Sequence, residues 1–380
     1  NTLGNYSDLY FQPLLDCIGL LTVFELRKYG EGFLLRFPPT SRANELTDFE
    51  DIPQLFSIYS QSKKWGKLIG VSSVGQLNET IAKRKAKDFV EITETLQNKK
   101  IAEIADKIAE RSSVKVVLIA GPSSSGKTTT SKKLSMQLRV LGFEPVVISL
   151  DDYYRGTEST PLDEEGKPDF ECLEALDVPL LNEILVSLFK GNEVDLPTFD
   201  FKTGSRKYNG KKLRLNERMI LIMEGIHGLN DKLTPLVQPE YKFKIYLSAL
   251  TQLNLDDHNR IPTSDNRLLR RIVRDAQFRG KGAAGTIAMW ASVQRGERLH
   301  IFPFQDKADV MFNTALDYEL SVLKIYAEPL LRAVKPTESE YSEASRLLMF
   351  LNNFSTISSS FVPGQSIIRE FIGESDFKYS

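Results

Sequence analysis

The chain has 380 residues, enough for two domains, and its 41% hydrophobic and 26% charged content is that of an ordinary globular protein, not a disordered or fibrous one. Its 49 Lys and Arg against 50 Asp and Glu leave a net charge of −1, which excludes a global basic field, so neither nucleic acid nor an anionic membrane is an expected partner. No apolar run reaches the roughly eighteen residues of a membrane helix, and the first residues match neither a signal peptide nor a lipidation site, so a cytoplasmic location is expected. The start at Asn1 in place of Met points to a fragment or a processed protein.

Short apolar runs open the chain. Leu20-Leu-Thr-Val-Phe24 and Gly32-Phe-Leu-Leu-Arg-Phe37, broken by Pro38-Pro39 and Gly70, predict a small α+β unit over residues 1–75. Cys17 and Cys172 lie far apart in no metal spacing and read as small buried hydrophobes; His227, His258 and His300 form no metal set either. Residues 76–111 predict one or two long helices, because Ile81, Phe89, Ile92, Leu96, Ile101, Ile104 and Ile108 return at helical intervals. The basic run over 83–87 reads as a solvated helix face, with an RNA contact as the alternative.

Then comes Ile119-Ala-Gly-Pro-Ser-Ser-Ser-Gly-Lys-Thr-Thr-Thr130, in which Gly121, Gly126, Lys127 and Thr128 satisfy G-x-x-x-x-G-K-[ST]. The glycines let successive N–H groups, through Ser123, Ser124, Ser125 and on to Thr129, turn toward a di- or triphosphate. The next helix aims its positive dipole end at the same anion. Lys127 supplies a point charge to the β/γ-phosphates and Thr128 a hydroxyl to Mg²⁺. The context agrees: Val114-Lys-Val-Val-Leu-Ile-Ala120 predicts a buried parallel strand and 129–140 a helix.

Glu144-Pro-Val-Val-Ile-Ser-Leu150 predicts a second buried strand, ending in Asp151-Asp-Tyr-Tyr154. Ligands of open α/β sheets sit at the carboxyl ends of the strands, so this acid pair faces the γ-phosphate, and Asp151 is read as the base for an attacking hydroxyl. Asp163 to Gly166 matches D-x-x-G, but the N-K-x-D of a guanine site is missing from the chain. Residues 169–177 lead into a helix over 178–190. After it, Leu196-Pro-Thr-Phe-Asp-Phe-Lys-Thr-Gly-Ser-Arg-Lys207 offers Phe199, Phe201, Asp200, Arg206 and Lys207 for an acceptor pocket, though a half-buried strand shows the same alternation. Met219-Ile-Leu-Ile-Met223 predicts a third strand, and Glu224 just beyond it stands where phosphate-loop enzymes hold Mg²⁺; His227 packs in the loop that follows. A fourth strand, Lys242-Phe-Lys-Ile-Tyr-Leu247, precedes a helix over 265–278. There Arg267, Arg270, Arg271 and Arg274 share one face opposite Leu269, Ile272, Val273 and Ala276. With Arg279-Gly-Lys-Gly282 they predict a lid that closes over a triphosphate and neutralises transition-state charge. A last strand over 308–313, helices over 319–331 and 339–351, and a polar loop over 355–360 follow. Residues 366–373 are apolar enough to dock on the core, with no role legible.

The loop over 121–128, Ser149-Leu-Asp-Asp-Tyr-Tyr154, Pro197-Thr-Phe-Asp-Phe201 with Ser205-Arg206, Glu224-Gly-Ile226 and the arginines over 267–280 resemble, in order and spacing, the uridine kinase and phosphoribulokinase family. Ahead of them, Ser7-Asp-Leu-Tyr-Phe-Gln-Pro-Leu14, Phe24-Glu-Leu26 and the run over 32–37 resemble the closing part of the editing-type domain of threonyl- and alanyl-tRNA synthetases. Tyr10 and Leu14 stand where that family carries a cysteine and a histidine, so hydrolytic editing is not expected. The expected organisation is a partial editing-like domain over 1–75, a helical linker over 76–111, a kinase-like domain over 112–335, and a C-terminal helical segment and tail over 336–380 packed on it.

What the kinase resemblance implies is an α/β fold, a doubly wound parallel sheet with helices on both faces, transferring the γ-phosphate of ATP to the 5′-hydroxyl of a ribonucleoside of the uridine or cytidine type. By motif match Asp151 is the base, Thr128 and Glu224 hold Mg²⁺, and Glu171 falls where the family keeps an aspartate for the ribose hydroxyls. Tyr154, Phe199 and Phe201 flank the base with Arg206 nearby, while Arg271, Arg274 and Arg279 belong to the lid. Two positions depart from the pattern: Gly204 replaces the family's base-reading histidine, and Lys281 replaces the second lid arginine after Arg279-Gly280. Loss of the base-reading donor leaves phosphoryl transfer intact but opens the choice of acceptor. The alternatives are a kinase of another nucleoside or a sugar phosphate, and a non-catalytic nucleotide sensor or RNA-binding protein. A homo-oligomer is left open.

Overall fold

The computed structural model describes residues 2–7, 15–38, 42, 44–49, 51–162, 166, 168–200, 203–256 and 259–379. The chain divides after Pro53 into two units. In the first, β1 (Thr2–Leu3) pairs antiparallel with β2 (Tyr6–Ser7), and β3 (Glu25–Tyr29) with β4 (Gly32–Arg36), the second turn passing through Gly30 at φ 56°. Glu25 binds both Arg27 and Arg36, whose guanidinium groups lie 4.9 and 5.4 Å from the Phe49 ring centre. Residues 8–14 of the synthetase-like motif, including Tyr10 and Leu14, lie outside the described residues, as do Asp163 and His258. Cys17 corrects its expectation: it is exposed, and only Cys172 is buried. Among the described residues around it, 15, 16 and 19–22 are exposed as well.

The second unit opens with α1 (Pro53–Ile69), α2 (Val74–Ala82) and α3 (Ala86–Ala109). Lys83 and Lys87 pair with Glu79 and Glu91 one turn away, so two of the run's four cations are balanced locally. Then come β5 (Val116–Ala120), α4 (Lys127–Val140), β6 (Glu144–Ser149), α5 (Val178–Phe189), the antiparallel pair β7 (Val194–Asp200) and β8 (Ser205–Leu213), β9 (Met219–Glu224), β10 (Lys242–Ser248), α6 (Thr263–Phe278), α7 (Ala283–His300), β11 (Val310–Asn313), α8 (Glu319–Arg332), α9 (Tyr341–Leu351) and α10 (Arg369–Ile372).

Five strands form one parallel sheet in the order β11-β10-β5-β9-β6. β5 is central and every residue of it is buried, which is why it reads as an unbroken apolar run. Its side chains alternate between two cores. Val117 and Ile119 pack on one face with residues of α3, α4, α6 and α8, while Val116 and Leu118 pack on the other with α5. Helices therefore cover both faces, as the doubly wound expectation requires. Among the described residues no helix is long and apolar enough to cross a membrane.

Candidate active site

The register of the sheet assembles the site. Ile119 lies beside Glu224 and Glu224 beside Ser149, so the loop after β5, Glu224 at the end of β9 and Asp151 just past β6 all emerge at one edge. That edge is the carboxyl end of parallel strands, where an open sheet leaves its crevice.

The β5–α4 loop is closely built. At Gly121 an added Cβ would run into the carbonyl oxygen of Leu247 on β10. Gly126 sits at φ 79°, and a Cβ there would come within 2.6 Å of Ile367 Cγ2. Ser124 adopts φ 59° without being glycine, so part of the strain of this tight loop rests on it. Lys127 donates from Nζ to the carbonyls of Gly121 at 3.0 Å and Pro122 at 3.2 Å. Thr128 donates to Glu224 Oε1 at 3.2 Å. Glu224 is buried, and burial, helped by the nearby charges of Asp151 and Glu370, pushes its carboxyl up to about 7 against the pull of Lys127. A carboxylate so placed fits a cation. Mg²⁺ needs only one or two carboxylates, a hydroxyl and substrate phosphates, and among the described residues no larger cage of His, Cys, Asp and Glu exists. Asp151 keeps solvent access along the open side of the crevice, while protein on the other sides raises its carboxyl; Lys127, Arg279 and Arg274 oppose that rise.

The arginine stripe of α6 divides in two. The expectation that all four face an external anion is corrected for Arg267 and Arg270, which are buried and bind carboxylates of the protein. Arg267 pairs with Glu297 of α7 and donates to the Ser123 carbonyl at 3.2 Å. Arg270 pairs with Glu319 at 2.6 Å and donates to the carbonyls of Ser124 and Thr314 at 3.2 and 3.0 Å. Glu297 also accepts the Ser123 N–H at 3.1 Å. These two ion pairs hold the phosphate loop from behind. The other two, joined by Arg279 just past the end of the helix, gather on Asp275: Arg271 at 3.3 Å, Arg274 at 3.0 Å and Arg279 at 3.7 Å. Arg271 also reaches the Ser123 hydroxyl at 2.7 Å. Lys281 rests its ammonium against the Met289 sulfur, on the turn that Gly280 makes at φ 63°.

On the other side of Asp151, Tyr154 meets Phe170 edge-on at 6.0 Å and Phe199 at 5.7 Å between ring centres. Asp152 accepts the Phe199 N–H at 3.1 Å, fixing β7 against the 151–154 turn. Arg206 pairs with Asp177 at 3.0 Å and donates to the carbonyls of Tyr153 and Tyr154 at 3.3 and 3.1 Å, so it positions this turn. Glu171 is half-buried against Gly296, and burial pushes its carboxyl up to about 7, with Arg271 opposing. Beyond it His227 is buried beside His300, and burial holds it near 4. Phe201 lies outside the described residues. Gly204 has a backbone reason to be glycine: it sits at φ 63°, and its carbonyl approaches Gly156 so closely that a Cβ on Gly156 would be 2.9 Å away.

The structure thus brings Lys127, Thr128, Asp151 and Glu224 together, with Arg271, Arg274 and Arg279 on one flank and Tyr154, Phe199 and Glu171 on another. Four acids escaped the sequence reading. Asp275 sits four residues from both Arg271 and Arg279, a helical spacing that could have found it, while Glu297, Glu319 and Glu370 carry no such signal.

Residues 116–321 match the profile of the Phosphoribulokinase / Uridine kinase family. The chain is similar to the uridine kinase of Macrococcus caseolyticus, 30% identical over 198 residues, which is 52% of this chain and 86% of that one. It is similar also to the uridine kinase of Chloroflexus aurantiacus, 29% identical over 199 residues, covering 52% and 85%. Among solved structures, a possible uridine kinase from Bacillus stearothermophilus aligns over 53% of this chain and 89% of its own, at 20% identity and a TM-score of 0.34.

Proposed function

This chain belongs to the phosphoribulokinase and uridine kinase family, phosphotransferases acting on a hydroxyl group, and we propose that it transfers the γ-phosphate of ATP to the 5′-hydroxyl of a uridine- or cytidine-type ribonucleoside. The observation that carries this reading is the convergence of Lys127, Thr128, Asp151 and Glu224 at one sheet edge beside an aromatic recess.

In this reading Lys127 and the loop N–H groups other than those of Ser123 and Ser125, which donate to Glu297 and to the Pro122 carbonyl, hold the donor's phosphates. Thr128 and Glu224 would hold Mg²⁺, which when bound offsets charge on the phosphates. Asp151, whose carboxyl the surrounding protein raises above an ordinary aspartate's, accepts the proton of the acceptor hydroxyl as that oxygen attacks phosphorus. Arg271, Arg274 and Arg279, preorganised on Asp275, stand ready for the charge that spreads over the transferring group. Tyr154 and Phe199 offer flat walls for a base, and Glu171 accepts from sugar hydroxyls. A kinase of another hydroxylated metabolite is favoured by one observation, Gly204, whose left-handed turn leaves no side chain to read a pyrimidine.

The test is ATP consumption with Mg²⁺ against uridine, cytidine, other nucleosides, sugar phosphates and a control without acceptor. Turnover with uridine or cytidine is expected. Turnover with a sugar phosphate alone moves the protein to the second reading, and tight ATP binding with no turnover leaves a nucleotide sensor.

A further inference from the structure

The carboxyl-terminal segment ends at the donor site. Ile367, Ile368, Phe371 and Ile372 are buried, Phe371 lies 5.1 Å from the Arg270 guanidinium, and Ile367 covers Gly126. This packing fixes α10 across the junction of the phosphate loop and α4. From it Glu370 reaches the first turn of α4, where its Oε2 accepts the Thr129 N–H at 3.0 Å and the Thr129 hydroxyl at 2.7 Å. The Tyr379 hydroxyl closes on the same Thr129 oxygen at 2.9 Å and on Ser375 at 3.1 Å, while Lys132 donates to the Lys378 carbonyl at 2.7 Å. Thr129 itself is fully buried under these contacts.

An unsatisfied N–H on the first turn of the helix after a phosphate loop is a phosphate donor, and it lies in the positive end of the helix dipole. The γ-phosphate belongs beside Lys127, Asp151 and Glu224, so the donor's nucleoside end leaves the cradle past the later N–H groups, toward Thr129, one residue beyond the motif. Glu370 presents a carboxylate, the same kind of charge and acceptor as a phosphate oxygen, to that group. The hydrophobic anchor of α10 keeps the competitor at high local concentration.

We propose that Glu370 is a built-in competitor for the phosphate nearest the donor's nucleoside, latched by Tyr379, and that it sets the affinity of the site for nucleoside triphosphate. The inference rests on the donor-site reading above. When the donor binds, the Glu370 side chain swings off Thr129 and residues 374–379 release, while α10 stays packed.

The test measures equilibrium binding of Mg²⁺-ATP and of pyrophosphate to the full chain, to Glu370→Ala, to the isosteric Glu370→Gln, to Tyr379→Phe and to Lys127→Ala. Glu370→Ala should bind ATP roughly tenfold tighter, Glu370→Gln and Tyr379→Phe less so, and pyrophosphate, which needs no Thr129 contact, should change by less than about twofold. ATP should also speed tryptic cleavage after Lys378 in the parent protein, read by mass spectrometry. ATP affinity that is unchanged or weaker in Glu370→Ala overturns the latch, because Glu370 would then brace the cradle. Failure of every form to bind ATP, or undiminished binding by Lys127→Ala, overturns the donor-site reading and the latch with it.

Discussion

Asp275 is the test of how the flank of the site is held. Its side chain is 3% exposed and faces Arg271, Arg274 and Arg279, whose own side chains are 11%, 15% and 58% exposed. Asp275→Asn keeps the shape and removes the charge. Leaving a buried charge without its partner costs about 3–5 kcal/mol. Arg279, exposed and 3.7 Å away, adds almost nothing to that. The asparagine oxygen can still accept one bond from Arg274, which recovers about 1 kcal/mol. The net loss is about 3 kcal/mol, a fall in Tm of about 4 °C for a chain of this size. Because Arg271 also holds the Ser123 hydroxyl, its displacement loosens the loop, and kcat should drop about tenfold or more. Urea denaturation followed by circular dichroism gives the first number, and the ATP-coupled assay with uridine the second. A stability loss under about 1 kcal/mol together with unchanged kcat would refute the reasoning, since the arginines would then be held by something other than Asp275.

Asp151→Asn should lower kcat by roughly 10²–10⁴ with little effect on ATP affinity, and the acidic limb of the parent's kcat profile should lie above that of a free aspartate, since the protein around Asp151 raises it; unchanged turnover rules it out as the base. Gly126→Ala forces a side chain into φ 79° and against Ile367, so it should cost about 2 kcal/mol or more and abolish tight ATP binding, both readable in one thermal-shift titration. Burial raises Glu171 from 4.5 to about 7, so the folded state keeps a proton that the unfolded chain loses. That share of stability is whole below about 4.5 and disappears as pH rises to about 7. Glu171→Gln should therefore exceed the parent by roughly 1–2 kcal/mol at pH 8, allowing for partial exposure, and match it at pH 4.5 in urea melts.

Much of this protein is written in local sequence. The phosphate loop, the central strand and the acids at 151 and 224 are legible because backbone geometry demands glycines at fixed spacing, and a strand buried on both faces demands an apolar run. The fold class and the family follow from those segments, and the family match begins at residue 116, leaving the synthetase-like front outside it. What the sequence could not assign is the partner of each charge. Arg267, Arg270, Arg271 and Arg274 look alike on a helical projection, yet two bind Glu297 and Glu319 in the core while two collect on Asp275, a choice made by which helix packs behind α6. Residues 366–373 showed only that they were apolar. That they carry Glu370 onto Thr129, 241 positions away, is set by tertiary packing alone, because a contact at that separation leaves no period or spacing in the chain.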